Sequence, residues 1–141
     1  MAMGADGVWC ASVFLPTTEA ETSEVIKEKM VNASSSQTVR SRSRTGKHSR
    51  QLKSAWTDAW ESKDAPEPLP MPLQTMISEP ALAVVNKQAE IGHEGAKELA
   101  TYWVGQGIGL VDETISAGQT VQKFKEEFAV AYERVVSLLD E

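Results

Sequence analysis

At 141 residues the chain is long enough for one domain with a real core and too short for two. Its 41% hydrophobic and 24% charged residues are the mixture of an ordinary folded protein, and no apolar run approaches the roughly 20 residues of a membrane span. A formal net charge of −6 argues against nonspecific nucleic-acid binding, a single cysteine excludes an internal disulfide, and an amino terminus without a basic or long apolar segment does not read as a secretory signal, so a cytoplasmic location is expected.

The chain opens on an apolar run, Val8-Trp9-Cys10 followed by Val13-Phe14-Leu15, which reads as a strand buried on both faces. Pro16-Thr17-Thr18 turns the chain, and Glu19 to Val31 reads as a helix with Val25, Ile26 and Met30 on its apolar face. Gln37 to Arg44 alternates as a short polar strand would, ended by Gly46. Leu52, Ala55, Trp56, Ala59 and Trp60 then fall at helical spacing. Pro66, Pro68, Pro70 and Pro72 make a stiff extended connector, and a helical pattern runs from Leu73 to Ala89, with a kink near Glu79 and a new start at Pro80. Ile91-Gly92-His93 ends it, Glu94 to Ala100 is a short helix, and a capping box at Ser116-Ala117-Gly118-Gln119 begins a closing helix striped with Val121, Phe124, Phe128, Ala131, Val135 and Leu138. The opening strand has no convincing partner in this census, so its neighbours are expected upstream of Met1 or on another chain.

The chemistry-bearing residues are few. Ala11-Ser12, small residues at the end of an apolar strand, suit either close approach of backbone amides to a phosphate or tight packing. Gly105-Gln106-Gly107-Ile108-Gly109 lacks the glycine spacing of a dinucleotide fingerprint; its glycines let the backbone pass close to a ligand or another segment, and Gln106 offers an amide that donates and accepts. Arg40, Arg42, Arg44, Lys47, Arg50 and Lys53 concentrate positive charge, read either as a grip on the phosphates of a coenzyme A thioester or as a solvated face. His48 and His93 lack neighbours at metal-ligand spacing, no nucleophile-base pairing is apparent, and Trp56 and Trp60 read as core.

Five segments in order, "GADGVWCASVFL", "TVRSRSRTGKHSR", "WTDAWE", "PEPLPMPLQ" and "YWVGQGIGLV", resemble the carboxyl-terminal part of the nitronate monooxygenase (2-nitropropane dioxygenase-like) flavoproteins, with wording similar to an actinobacterial branch linked to steroid breakdown as coenzyme A thioesters. The resemblance implies an α/β family fold, an FMN-binding (β/α)8 barrel carrying an inserted helical domain, of which this chain is a mainly helical fragment. It implies that residues 1–16 are strand eight and the FMN-phosphate loop, 17–100 an inserted domain covering the substrate, and 101–141 a return segment and final helix packed on the barrel. It places Ala11 and Ser12 at the FMN phosphate, with Ala11 standing where relatives carry glycine, and Gln106 near the flavin. Arg44, Lys47 and Arg50 become candidates for holding a small-molecule substrate, a coenzyme A thioester among them. The family's catalytic histidine matches neither His48 nor His93, so no catalytic residue is expected here. The implied activity is flavin oxidation of a nitronate or a related carbanionic or enoyl substrate. The chain alone is expected to be inactive and to hold FMN weakly or not at all, its partner being the rest of the barrel. Two other readings stay open: a helical interaction module that complements a separately encoded barrel half, and an acyl-coenzyme A binder using the Arg40 to Lys53 cluster.

Overall fold

The computed structural model describes residues 4–138. Helix α1 (Glu24–Val31) begins where the Ser23 side chain accepts the Ile26 amide, and buries Ile26 and Met30. It starts later than the charge pattern predicts because Glu19 is engaged elsewhere: its carboxylate accepts the Ala117 amide 98 residues on. Strands β1 (Thr38–Ser41) and β2 (Ser49–Leu52) form an antiparallel hairpin in the register Thr38↔Leu52, Val39↔Gln51, Arg40↔Arg50, Ser41↔Ser49. Leu52, expected on the following helix, instead closes β2. Ser54 and Thr57 make the reciprocal cap that starts α2 (Ala55–Trp60).

Helix α3 (Leu73–Glu90) runs unbroken through Pro80, where a fresh helix was expected. Proline removes one hydrogen bond from the helix interior, but the turns on either side are fixed independently: Gln74, Ser78, Leu82 and Ala89 share one buried face spanning the proline. Gly92, at φ +94, reverses the chain into α4 (Glu94–Leu99), whose first turn is capped by His93 Nδ1 accepting the Ala96 amide. The capping box expected at Ser116 and Gln119 opens α5 (Ala117–Ser137).

The core gathers Ile26 and Met30 from α1, Leu52 from β2, Ala89 from α3, Ala96 and Ala100 at α4, and Val104 and Ile108 from the segment that follows. That segment zips onto the free edge of β2: the Leu52 amide donates to the Tyr102 carbonyl at 2.9 Å, the Val104 amide to the Arg50 carbonyl at 3.2 Å, and Trp103 pairs with Gln51. It acts as a third short strand.

The opening run departs from expectation. Residues 4–11 form no strand, and Ser12–Phe14 are a 3-10 turn. Val8 is 79% and Trp9 98% exposed, and Cys10, expected to pack, is exposed as well. A strand is defined by the ladder beside it, and none of the described strands runs alongside this segment. The stripe on α5 is likewise uncovered: Val121, Phe128, Val135 and Leu138 are exposed, while Phe124 meets Phe14 with ring centroids 6.5 Å apart.

Candidate functional site

The opening turn, the stretch from Gly107 to Ile115 and the first turns of α5 enclose a cleft of about 600 Å³. Ala11 and Ser12 lie in its wall. Ala11 is the residue before the 3-10 turn, and no side chain caps the amides that begin it. The Ser12 hydroxyl accepts the Gly105 amide at 2.7 Å. A hydroxyl has one donor and two acceptor positions, so this bond leaves the Ser12 hydrogen free to donate. Lys123 faces the cleft too, 3.8 Å from an Asp112 oxygen and 3.6 Å from a Glu113 oxygen. The turn amides and the fixed hydroxyl can donate to one phosphate group, while the Lys123 ammonium is outweighed by the three carboxylates of the same lining, Asp112, Glu113 and Glu127. Gln106 begins the next 3-10 turn (Gln106–Leu110) with an exposed side chain; its neighbours Gly105 and Gly107 reach Ser12 and the cleft, and Gln106 is not in the cleft wall.

The arginine cluster disperses. The Arg44 guanidinium is 4% exposed, its Nε and Nη2 donating to both Glu79 oxygens at 2.9 and 2.7 Å. Arg42 is tied to Glu67 and to the Pro68 and Gly46 carbonyls. Arg50 donates to Thr38 Oγ1 at 3.0 Å, and Lys53 sits 3.8 Å from Asp58. Lys47 is exposed on the hairpin turn. Arg44 is thus a buried strut, not a surface grip, and Arg44, Lys47 and Arg50 do not converge on one point. His48 is exposed and His93 caps α4, so neither lines the cleft. Among the described residues no group of three or more His, Cys, Asp or Glu is placed to hold a metal ion, and no helix is long and apolar enough to cross a membrane.

Periodicity missed the polar residues that dock the hairpin on α3. Gln74 Nε2 donates to the Ser43 carbonyl at 2.8 Å, Ser78 Oγ to the Arg44 carbonyl at 2.6 Å, and Gln51 is bonded to Ser41, Ser43 and Ser49. Their spacing of four on α3 was visible, but a pattern of apolar residues does not register a buried polar face. Two glycines fit close approaches: a Cβ on Gly46, already at φ +78, would overlap the Leu69 carbonyl oxygen, and one on Gly109 would overlap Ser35. The latter satisfies the expectation that this glycine-rich loop passes close to another segment. Trp56 and Trp60 are half-buried and in mutual contact at 6.1 Å.

Residues 1–127 match the nitronate monooxygenase family. The candidate monooxygenase Rv1533 of Mycobacterium tuberculosis is 51% identical over 91% of this chain and 34% of its own length. A Bacillus subtilis protein named "Probable nitronate monooxygenase" is 26% identical over 90% of the chain and 35% of its own. The structure of FabK from Thermotoga maritima superimposes with a TM-score of 0.68 at 27% identity, covering 96% of this chain and 41% of that one, which supports an α/β family fold. The chain spans about a third of the length of the two sequence relatives it matches. With the match running from residue 1 into α5, the chain belongs to the nitronate monooxygenase family.

Proposed function

We propose that this chain is the carboxyl-terminal portion of an FMN-dependent oxidoreductase acting on nitronates or a related carbanionic or enoyl substrate, and that it supplies part of the phosphate grip and a helical cover. One observation carries the reading: the Ser12 hydroxyl holds the Gly105 amide at the wall of the cleft, joining two segments 93 residues apart. When bound, FMN supplies the electron-accepting chemistry of such enzymes. The residues of this chain contribute binding and orientation. Ser12, fixed by Gly105, directs its hydrogen toward a phosphate oxygen, and the uncapped amides after Ala11 add donors beside it. Lys123 lines the same cleft, but Asp112, Glu113 and Glu127 outweigh its charge, so the grip rests on the hydroxyl and the amides. Neither histidine is placed to take a proton near the cleft, so the general base belongs to the remainder of the enzyme.

The uncovered apolar surfaces support the same reading. Trp9, Phe128 and Val135 are exposed as a face awaiting a neighbour would be, and the missing barrel, whether continuous with this chain or encoded apart, is the body we assign to it.

Titration of the purified chain with FMN tests the grip. The expected result is weak FMN binding, tighter than that of riboflavin, which lacks the phosphate, with the advantage lost in Ser12→Ala. Coexpression with the remaining portion of Rv1533 is expected to yield a yellow complex. A colourless mixture, or FMN and riboflavin binding alike, overturns the proposal.

A further inference from the structure

Helix α3 has two faces built for packing and buries one of them. Gln74, Ser78, Leu82 and Ala89 are buried, the first two bonded to the hairpin turn. On the opposite side Leu73, Ile77, Pro80, Val84, Lys87 and Ile91 are all exposed. These six follow one another in alternating steps of four and three, and at 3.6 residues per turn they fall within a stripe about 80° wide. That is the seam a second helix reads. A helix lying on the surface of one domain needs a single apolar face, whereas one that is apolar on both sides is made to be covered on both. The seam is distinct from the surface assigned to the barrel: α3 packs on α4 and α1, while the α5 stripe belongs with the opening turn.

The seam fits its own copy. With two α3 helices antiparallel about a two-fold axis at the level of Leu82, Leu73 faces Ile91 of the second copy, Pro80 faces Val84, and Ile77 faces the aliphatic stem of Lys87. Residues 80–86 carry no charge, so the groups that meet their own copies at the axis are the exposed Ala81 and Ala83, small enough for close approach. The Lys87 ammonium comes level with Glu79 of the second copy. Glu79 accepts from Arg44 but stays 36% exposed, with acceptor positions to spare. Parallel helices would instead set Lys87 against Lys87. Met76 and Val84 are 69% and 62% exposed, and with the rest of the seam and the preceding Leu69 and Met71 the strip offers on the order of 700 Å² per copy, near the roughly 800 Å² that each partner buries in a standard interface.

We propose that the outer face of α3 is a self-association surface, on which a second copy of this chain docks with its α3 antiparallel to the first. The contact is isologous, so it closes at two copies and does not grow into a filament.

Sedimentation of the Phe128→Glu chain, in which the α5 stripe is interrupted, is expected to show a dimer that dissociates on dilution. Ile77→Glu and, separately, Val84→Glu each place two unpaired charges in the seam and should raise the dissociation constant by roughly a hundredfold. Both positions are open to solvent in the monomer, and an unchanged circular dichroism spectrum identifies a folded variant. Orientation is read by disulfide trapping in a Cys10→Ser background, which removes the exposed native thiol. Ala81→Cys or Ala83→Cys should link to its own copy, Leu73→Cys should not, and Leu73→Cys mixed with Ile91→Cys should. A chain that stays monomeric, a dimer that both glutamate variants leave intact, a self-linked Leu73→Cys, or failure of both alanine positions to link overturns the proposal. So does loss of the link when the remaining portion of Rv1533 is bound, which would assign this face to the barrel.

Discussion

The middle of the molecule and its two ends solve opposite problems. Between Pro16 and Gly105 the hairpin, α3 and α4 pack on one another, and Gln51, Gln74 and Ser78 bond to the strand and turn backbone or to its serines, although Arg44 Nη1, Trp56 Nε1 and Asn86 Oδ1 are buried without a partner. The residues before Pro16 and the length of α5 give no side chain to the buried core and leave Trp9 and Phe128 in solvent, while in the middle the outer side of α3 is comparably apolar and exposed, at Met76, Ile77 and Val84. The middle holds the core, and the ends lie outside it. A family member spanning about a third of its relatives' length is where such a division is expected.

Substitutions in the middle should therefore cost folding stability, and those at the ends should not. The largest loss is expected for Gly46→Ala, which forces a Cβ into the Leu69 carbonyl at a left-handed backbone position: about 3 kcal/mol in urea unfolding. Glu79→Ala should cost about 2–3 kcal/mol, below the range for a fully buried pair because the Glu79 side chain is 36% exposed. At the other end, Phe128→Glu should move the unfolding free energy of the chain by less than about 0.5 kcal/mol while abolishing capture of the remaining barrel portion in a pull-down. If Phe128→Glu unfolds the chain, the division between middle and ends fails.

The smallest effect lies in acid, at the bond between Glu19 and the start of α5. The Ala117 amide, with help from the Thr18 hydroxyl, lowers the Glu19 pKa below the ordinary carboxylate value. Because the folded value is the lower one, this contribution is present in full above the unfolded pKa of about 4.3 and fades as pH falls through the folded value. A Glu19→Gln variant should show a smaller drop in Tm between neutral pH and about pH 3 than the parent.

Local signals in the sequence translated directly. The Ser116–Gln119 cap, the apolar face of α1 and the short α4 depend on residues within a turn or two, and all appear. What escaped is non-local. Val8-Trp9-Cys10 has a strand's composition, but composition cannot provide the adjacent ladder. Tyr102–Val104 gained its strand character from β2, about a third of the chain away. Arg44 looked like one of several surface cations because nothing in its neighbourhood announces Glu79, 35 residues later. Of the candidate site, Ser12 could be singled out in advance, whereas its link to Gly105 could not, since that contact exists only once the hairpin has brought the two segments together.

That contact closes a circuit. The polypeptide departs from Ser12, builds the hairpin and four helices, and returns to within a hydrogen bond of its point of departure at Gly105. An excursion whose entrance and exit coincide can lengthen, shrink or be exchanged without pulling on whatever it is rooted in. Such a detour is free to change in length and sequence so long as the Ser12–Gly105 bond that closes it is kept.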